Sequence, residues 1–261
     1  MKLDYFKYVY EKIVIMFKNL IEFKVNLYLA LILEPTFIGF SLIGLFVLAR
    51  TGAISSWSFG EYVLFMVFFA FVLSVNDFAT DRLDLKSDLK DGSLNTLMFR
   101  PAGPFFLYAT DFMSFNIAGM IFDLGAVVVT AIVLGINALN LAVAVTSLVI
   151  SAFVFMSAIW FMQSFNFYTY GLGDPLDQTY SALTMTTSRF PPNIFGKTPI
   201  RFALFSLPTF FVAYLSVPIA QGAYSIDTIY YFLTMIAAFA FFYGFARLNW
   251  KIGLKRYEGY N

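Results

Sequence analysis

Apolar runs of membrane-crossing length recur along the chain, separated by short polar turns or by longer charged stretches. A bilayer core of about 30 Å takes roughly 20 helical residues to cross. Six segments meet that requirement: residues 27–49, 57–75, 105–134, 141–162, 202–219 and 228–245. None shows the period-two alternation of a barrel strand, so all six read as helices of an all-α membrane protein. The second becomes strictly apolar only after Glu61. The fifth contains Pro208 and Pro218, which neighbouring helices and local backbone adjustment can absorb. With no internal repeat and no low-complexity linker, residues 27–261 read as one six-helix domain.

Residues 1–26 have a different pattern. Leu3, Phe6, Tyr10, Ile13, Phe17 and Leu20 recur at steps of three and four, while Lys7/Glu11 and Lys18/Glu22 lie four apart away from that stripe. This predicts an amphipathic helix lying in the headgroup plane. It serves either as a simple anchor or as an element that transmits motion. Its lysines are scattered and precede no short apolar core, so it does not read as a cleavable signal peptide.

Charge then orients the chain. Lys2, Lys7, Lys12, Lys18 and Lys24 lie before the first span. Arg82, Lys86, Lys90 and Arg100 follow the second, and Arg189, Lys197 and Arg201 follow the fourth. Arg247, Lys251, Lys255 and Arg256 end the chain, and only Arg50 falls on the opposite side. By the positive-inside rule both termini and two long segments, 77–104 and 163–201, face the cytoplasm, and a multi-pass protein of the cytoplasmic (inner) membrane is expected. In the second of these, Asp174-Pro175 resembles an N-cap followed by proline at the first helical position. Leu176, Tyr180 and Leu183 would share one side of the helix that follows. An interfacial helix and a docking surface for a soluble partner remain equal alternatives there.

Composition narrows the chemistry. Of 261 residues, 60% are apolar, 20% aromatic and 13% charged, with no cysteine and no histidine. Soluble domains average about 25% charged residues. Disulfides, thiol nucleophiles, imidazole bases and Cys- or His-ligated metals are excluded. A net charge of +1 argues against nucleic acid as a partner. Gly196-Lys197-Thr198 resembles the end of a phosphate-binding loop, but Pro191 stands where such a loop needs glycine, and no strand precedes it. No cofactor or metal is expected on this chain.

Three carboxylates fall in or near spans: Glu34, Asp111 and Asp123. An acid at the centre of a lone helix costs on the order of 2.5–3.5 kcal/mol on insertion scales. Asp123 lies deepest, with Asn116 two turns before it, and Glu34 directly precedes Pro35. Asp123, Asn116 and Glu34 are the candidates for a polar substrate path or a proton site. The alternative for Asp123 is a protonated or hydrogen-bonded carboxyl inside the bundle. Asp111, near the end of its span, reads as hydrated.

The stretch 91–104 reads DGSLNTLMFRPAGP. Gly92 should break the charged helix before it, Leu94, Leu97 and Met98 should form a short helix with one apolar side, and Arg100-Pro101 should end it. This stretch resembles the Gly-x-Leu-Asp-x-x-Leu-Leu-x-Arg-Pro-x-Ser-Pro loop of the type-2 ABC transporter permeases. More narrowly, it is similar to the small six-span exporter permeases that work with a separate ATPase. Residues 189–195, RFPPNIF, resemble that family's Arg-Tyr-Pro-x-x-Ile-Phe, and 250–257, WKIGLKRY, its Trp-x-x-Gly-Leu-Arg-Arg-Tyr ending. Pro208, Tyr214, Pro218 and Gly222 follow in the same order. Asn95, Gly103 and Phe190 stand where the family has Asp, Ser and Tyr.

The resemblance implies a division of labour. Two permeases, alike or different, pair in the membrane, and ATP-binding subunits holding ATP and Mg dock from the cytoplasm. A coupling helix passes the motion of the ATPase to the spans by alternating access. By position that helix lies at 91–101, with Asp91, Gly92, Leu94, Leu97, Arg100 and Pro101 as contacts or supports. The chain itself would not be an enzyme. An ion-coupled carrier or channel using Asp123, and a scaffold subunit, are the competing readings, and the cargo is not legible.

Overall fold

The computed structural model describes residues 5–22, scattered positions between 28 and 47, and 57–80, 83–99, 103–111, 117–169, 172–188 and 207–257. Glu34, Asn116, Arg100, Pro101 and the stretches 112–116 and 189–206 lie outside the described residues, as do the side chains of Leu97 and Asp111.

The described chain is helical and contains no strand. It forms α1 (Tyr5–Glu22), α2 (Phe59–Thr80), α3 (Leu85–Asp91), α4 (Ser93–Met98), α5 (Pro104–Asp111), α6 (Ile117–Val133), α7 (Ala138–Gln163), a 3₁₀ turn (Ser164–Phe167), α8 (Gly173–Ser188), α9 (Pro208–Ala220) and α10 (Ile226–Arg256). Described positions between 28 and 47 are helical as well. The helices beginning at Phe59, Ala138 and Ile226 are long and apolar enough to cross a membrane, and α6 and α9 are shorter apolar helices.

The ends of these helices are set by side chains. Ser58 N–H donates to Glu61 Oε2 at 2.5 Å and Glu61 N–H to Ser58 Oγ at 3.3 Å, a reciprocal cap that explains an acid at the edge of an apolar run. Asn137 Oδ1 accepts from Leu139 N–H at 2.9 Å to start α7. Ser225 and Thr228 cap α10 reciprocally. In α9, Val212–Ser216 forms a π-helical stretch just before Pro218. Proline has no N–H to close a normal turn, and the widened turn absorbs the loss within the helix. α10 continues well past residue 245, where the apolar pattern ends, because Trp250 and Gly253 still face the bundle.

α7 is the central post, with α2, α8, α9 and α10 packed on it. Phe65, Phe68 and Val72 of α2, Val127 of α6, Leu148, Ala152 and Phe155 of α7, Phe211 of α9, and Met235 and Phe242 of α10 build one continuous core. Lipid is as apolar as leucine, so close packing of small residues and interhelical hydrogen bonds must hold such helices together. α7 supplies both through buried Ala144, Ser147, Ser151 and Ala158. Ser147 Oγ lies 2.7 Å from Ser216 Oγ of α9, and Ser151 Oγ donates to the Pro208 carbonyl at 3.2 Å. Ile121, Val128 and Ile132 of α6 and Ile229, Leu233 and Ile236 of α10 face outward, the kind of apolar surface a membrane protein presents.

One expectation changes. In α8, Tyr180 turns into the core and Leu183 is exposed, so they do not share one side. The buried stripe instead runs through Gly173, Tyr180, Thr184 and Thr187, where Thr187 Oγ1 meets Thr209 Oγ1 at 2.8 Å. In α1, Tyr10 and Phe17 are exposed, while Tyr8 and Lys12 make the inward contacts. Lys12 Nζ donates to the Thr110 carbonyl at 2.8 Å. Lys7 and Glu11 stand 3.9 Å apart, as their spacing predicts.

If the hydroxyl pair between α7 and α9 is a real fastening, a Ser147→Ala/Ser216→Ala double-mutant cycle in detergent unfolding will show a coupling of about 0.6 kcal/mol and no more than about 1.7 kcal/mol. Zero coupling would leave small-residue packing as the sole fastening there.

Candidate functional site

At one end of the bundle α3, α4, α5, the 3₁₀ turn, the start of α8 and the basic last turns of α10 meet. α3 begins at Asp84, whose Oδ1 accepts from Ser87 N–H at 3.0 Å, and ends at Gly92, where φ is 75°. That left-handed backbone is open to glycine at little cost. Asp91 Oδ1 takes Ser93 N–H at 2.9 Å, and α4 starts in a new direction.

The two short helices are held by a second core. Leu85 and Leu89 of α3, Leu94 of α4, Leu107 and Tyr108 of α5 and Trp250 of α10 pack together, joined by Tyr8 of α1 and Phe167 of the 3₁₀ turn. The Trp250 ring centroid lies 4.7 Å from Tyr108, 5.0 Å from Phe167 and 5.5 Å from Phe105. Asp88 ties three elements: Oδ2 accepts from Tyr108 Oη at 2.8 Å and Oδ1 from Ser93 Oγ at 2.6 Å. Gly253 lets α10 pass against the Phe167 ring, since a Cβ there would overlap the Phe167 side chain.

A polar chain continues across the same end. Lys86 Nζ donates to Asp174 Oδ2 at 2.9 Å, and Asn166 Nδ2 donates to Asp174 Oδ1 at 3.1 Å and to Gln163 Oε1 at 3.0 Å. Asn166 Oδ1 accepts from Gly173 N–H at 2.8 Å, and Gln163 Nε2 donates to Asp177 Oδ2 at 2.8 Å. The hydrogen bond and charge of Asp174 hold the Lys86 ammonium above its usual range. Burial pushes the Asp177 carboxyl above the usual carboxylate range, against the lowering by its bonds from Gln163 and Ser181.

Of the sequence candidates, Asp91, Gly92 and Leu94 come together here. Leu94 is 0% exposed and supports α4 from below, whereas Phe99, just beyond α4, is 90% exposed and Met98 is also exposed. The single apolar side expected for α4 is thus divided between an inner leucine and an outer Met98-Phe99 tip. Asp123 stands elsewhere, 1% exposed on α6, where Ser74 Oγ of α2 donates to its Oδ2. Its carboxyl is thus hydrogen-bonded within the bundle. Lys86, Asp88, Asn166, Phe167 and Phe99 had no signal in the sequence beyond ordinary loop polarity or apolarity, because their partners lie up to 88 positions away. Among the described residues no trio of acidic side chains converges to ligate a metal. A narrow cleft lined by Leu83, Phe105, Tyr108, Ala109, Trp160, Gln163 and Trp250 opens beside the second core.

Two outcomes follow from this geometry. Gly253→Ala will force Phe167 aside and cost about 1–3 kcal/mol, read as a lower unfolding midpoint in detergent; an unchanged midpoint would show that the α10–Phe167 contact carries no load. For Asp177, the raised native pKa means that the folded state holds its proton more tightly than the unfolded state. Its destabilising effect is therefore full at pH above the elevated value and fades as pH falls toward about 3.9. Asp177→Asn, which still accepts from Gln163, will be more stable than the parent at neutral pH, and unfolding midpoints measured across pH will show that advantage shrinking on acidification.

Comparison with known families matches residues 31–260 to the family described as "ABC-2 family transporter protein". Comparison with curated proteins and with solved structures yields no match. The match takes in the long apolar helices and the whole basic end apart from α1, with α3–α4 in the place the resemblant loop occupies. The chain belongs to the ABC-2 family of transporter proteins and is a multi-pass membrane permease of that family.

Proposed function

We propose that the chain is the membrane subunit of an ATP-driven exporter with six spans, working as one of a pair of permeases. The basic end faces the cytoplasm of a cytoplasmic membrane, as the positive-inside rule requires. ATP and Mg are bound and ATP is hydrolysed in a separate subunit docked there. α3–α4 and the residues to 101 form the coupling element. Asp91 and Gly92 set its bend, Leu94 anchors it, and Leu97, Arg100 and Pro101 complete the contact. α1 lies along the headgroups with Tyr10 and Phe17 toward lipid. Glu34, Asn116 and Asp123 are candidates for the substrate path.

The observation that supports this reading best is the contrast between α4 and the residue that follows it. Leu94 is fully buried, while Phe99, at the tip, is 90% exposed beside a helix held from beneath. A large aromatic on a firmly backed protrusion suits a pocket on a soluble partner, and such anchors carry most of an interface's energy. Affinity purification of the chain from native membranes is expected to bring down an ATP-binding subunit. Phe99→Ala or Arg100→Ala should weaken that association by tenfold or more, roughly the effect of losing a residue worth about 2 kcal/mol, while the chain remains folded. Full transport by the purified chain without any ATPase would end the proposal.

The buried Asp123–Ser74 pair is the observation that favours an ion-coupled carrier instead. That reading requires transport to follow a proton gradient and to stop in Asp123→Asn. The exporter reading requires transport to follow ATP.

A further inference from the structure

Movement imposed on α3–α4 could reach the spans through the chain itself, back into α2 or forward into α5. Besides the Asp88–Tyr108 bond to α5, a second set of fastenings leads elsewhere. Both carboxylate oxygens of Asp174 are taken by donors from different segments, Lys86 of α3 and Asn166 of the 3₁₀ turn. Asn166 is wholly enclosed and also bonds Gln163 at the end of α7 and the backbone of Gly173. There is no slack at that point, since a Cβ on Gly173 would fall 2.5 Å from Asn166 Nδ2. In the same 3₁₀ turn, Phe167 is pressed on Gly253 and Trp250 of α10, and Asn249 Nδ2 donates to Ser164 Oγ at 3.1 Å.

We propose that Lys86, Asp174 and Asn166 are positioning residues that lock the coupling element to the ends of α7 and α10, so that these three move as one body in the transport cycle. The inference rests on the coupling role assigned to α3–α4 above. Charge-assisted bonds of fixed geometry and a glycine contact without clearance transmit displacement, whereas a lone flexible lysine on a solvated surface would not. Lys86 and Asp174 retain 35% and 23% side-chain exposure, so removing the Lys86 donor leaves the buried Asn166 bonds and both cores in place. Loss of positioning is thereby separable from loss of fold.

The chain contains no cysteine, so labels can be placed singly without background. The full complex with its co-purified ATPase is assembled in nanodiscs, the doubly labelled chain being diluted with unlabelled chain. Pulsed-EPR distances are then measured with ADP and with ATP plus vanadate. Lys90→Cys on α3 is paired with Lys255→Cys at the end of α10, and in a second sample with Val133→Cys at the far end of α6. The expected result is an α3–α10 distance that stays constant between nucleotide states while the α3–α6 distance changes. In Lys86→Met, which keeps the length of the side chain and loses its donor, the α3–α10 distance should become nucleotide-dependent. Hydrolysis-driven movement of α6 should then weaken by roughly two- to thirtyfold, the range in which residues on such a route alter coupling. Lys86→Arg should restore the parent behaviour. An α3–α10 distance that shifts with nucleotide in the parent overturns the locked body but leaves the coupling role intact. A Lys86→Met complex identical to the parent overturns the role of the lysine bond. If no distance responds to nucleotide, the coupling role itself falls, and the inference with it.

Discussion

Inside a bilayer a helix gains nothing by hiding its leucines from lipid, because lipid is equally apolar, and every backbone group must find its partner within the protein. Much of this structure answers that constraint. The described chain is helical, Pro218 is absorbed by a π turn rather than by a break, and each long helix begins on a side chain that satisfies its free N–H groups. Between helices, small residues and hydroxyls on α7 do what hydrophobic burial does in a soluble core. Among the described residues the one fully buried carboxylate, Asp123, is accommodated by a serine from the neighbouring helix.

At the basic end the rules change. There leucines, Tyr108 and Trp250 bury one another as in a small soluble domain, and charged side chains can be used as fasteners because water is near. Leu85, Leu89 and Leu94 give two very short helices a fixed seat, which six or seven residues of helix lack on their own. Asp88, Asp174 and Asn166 then tie that seat to segments far away in sequence. The aromatic tip at Phe99 is thus backed by a rigid assembly rather than by a loop.

This arrangement also accounts for motifs that carry no reactive group. Trp250 and Gly253, three positions apart, form a ring face and an adjacent gap on α10, and Tyr108, Phe105 and Phe167 occupy them. Gly92 supplies the left-handed corner between α3 and α4. The missing histidine and cysteine fit the same picture, in which the chain's residues position and transmit.

Hydrophobic period and length alone determined that the chain is helical and crosses a membrane, since the thickness of a bilayer and the pitch of a helix leave no other solution. Local rules went further, placing the break at Gly92 and the ion pair of Lys7 with Glu11. The ordered set of motifs led to the family. What the tertiary structure decided is which side of each short helix matters. Leu94 looks inward and Phe99 outward, and Tyr180 and Leu183 part company, because a stretch of six to sixteen residues can turn either face to the bundle until its neighbours are in place. The Lys86–Asp174–Asn166 brace belongs to that second class. Its three members are ordinary polar residues in the sequence, and only the packing of α3 and α8 against the 3₁₀ turn brings them together.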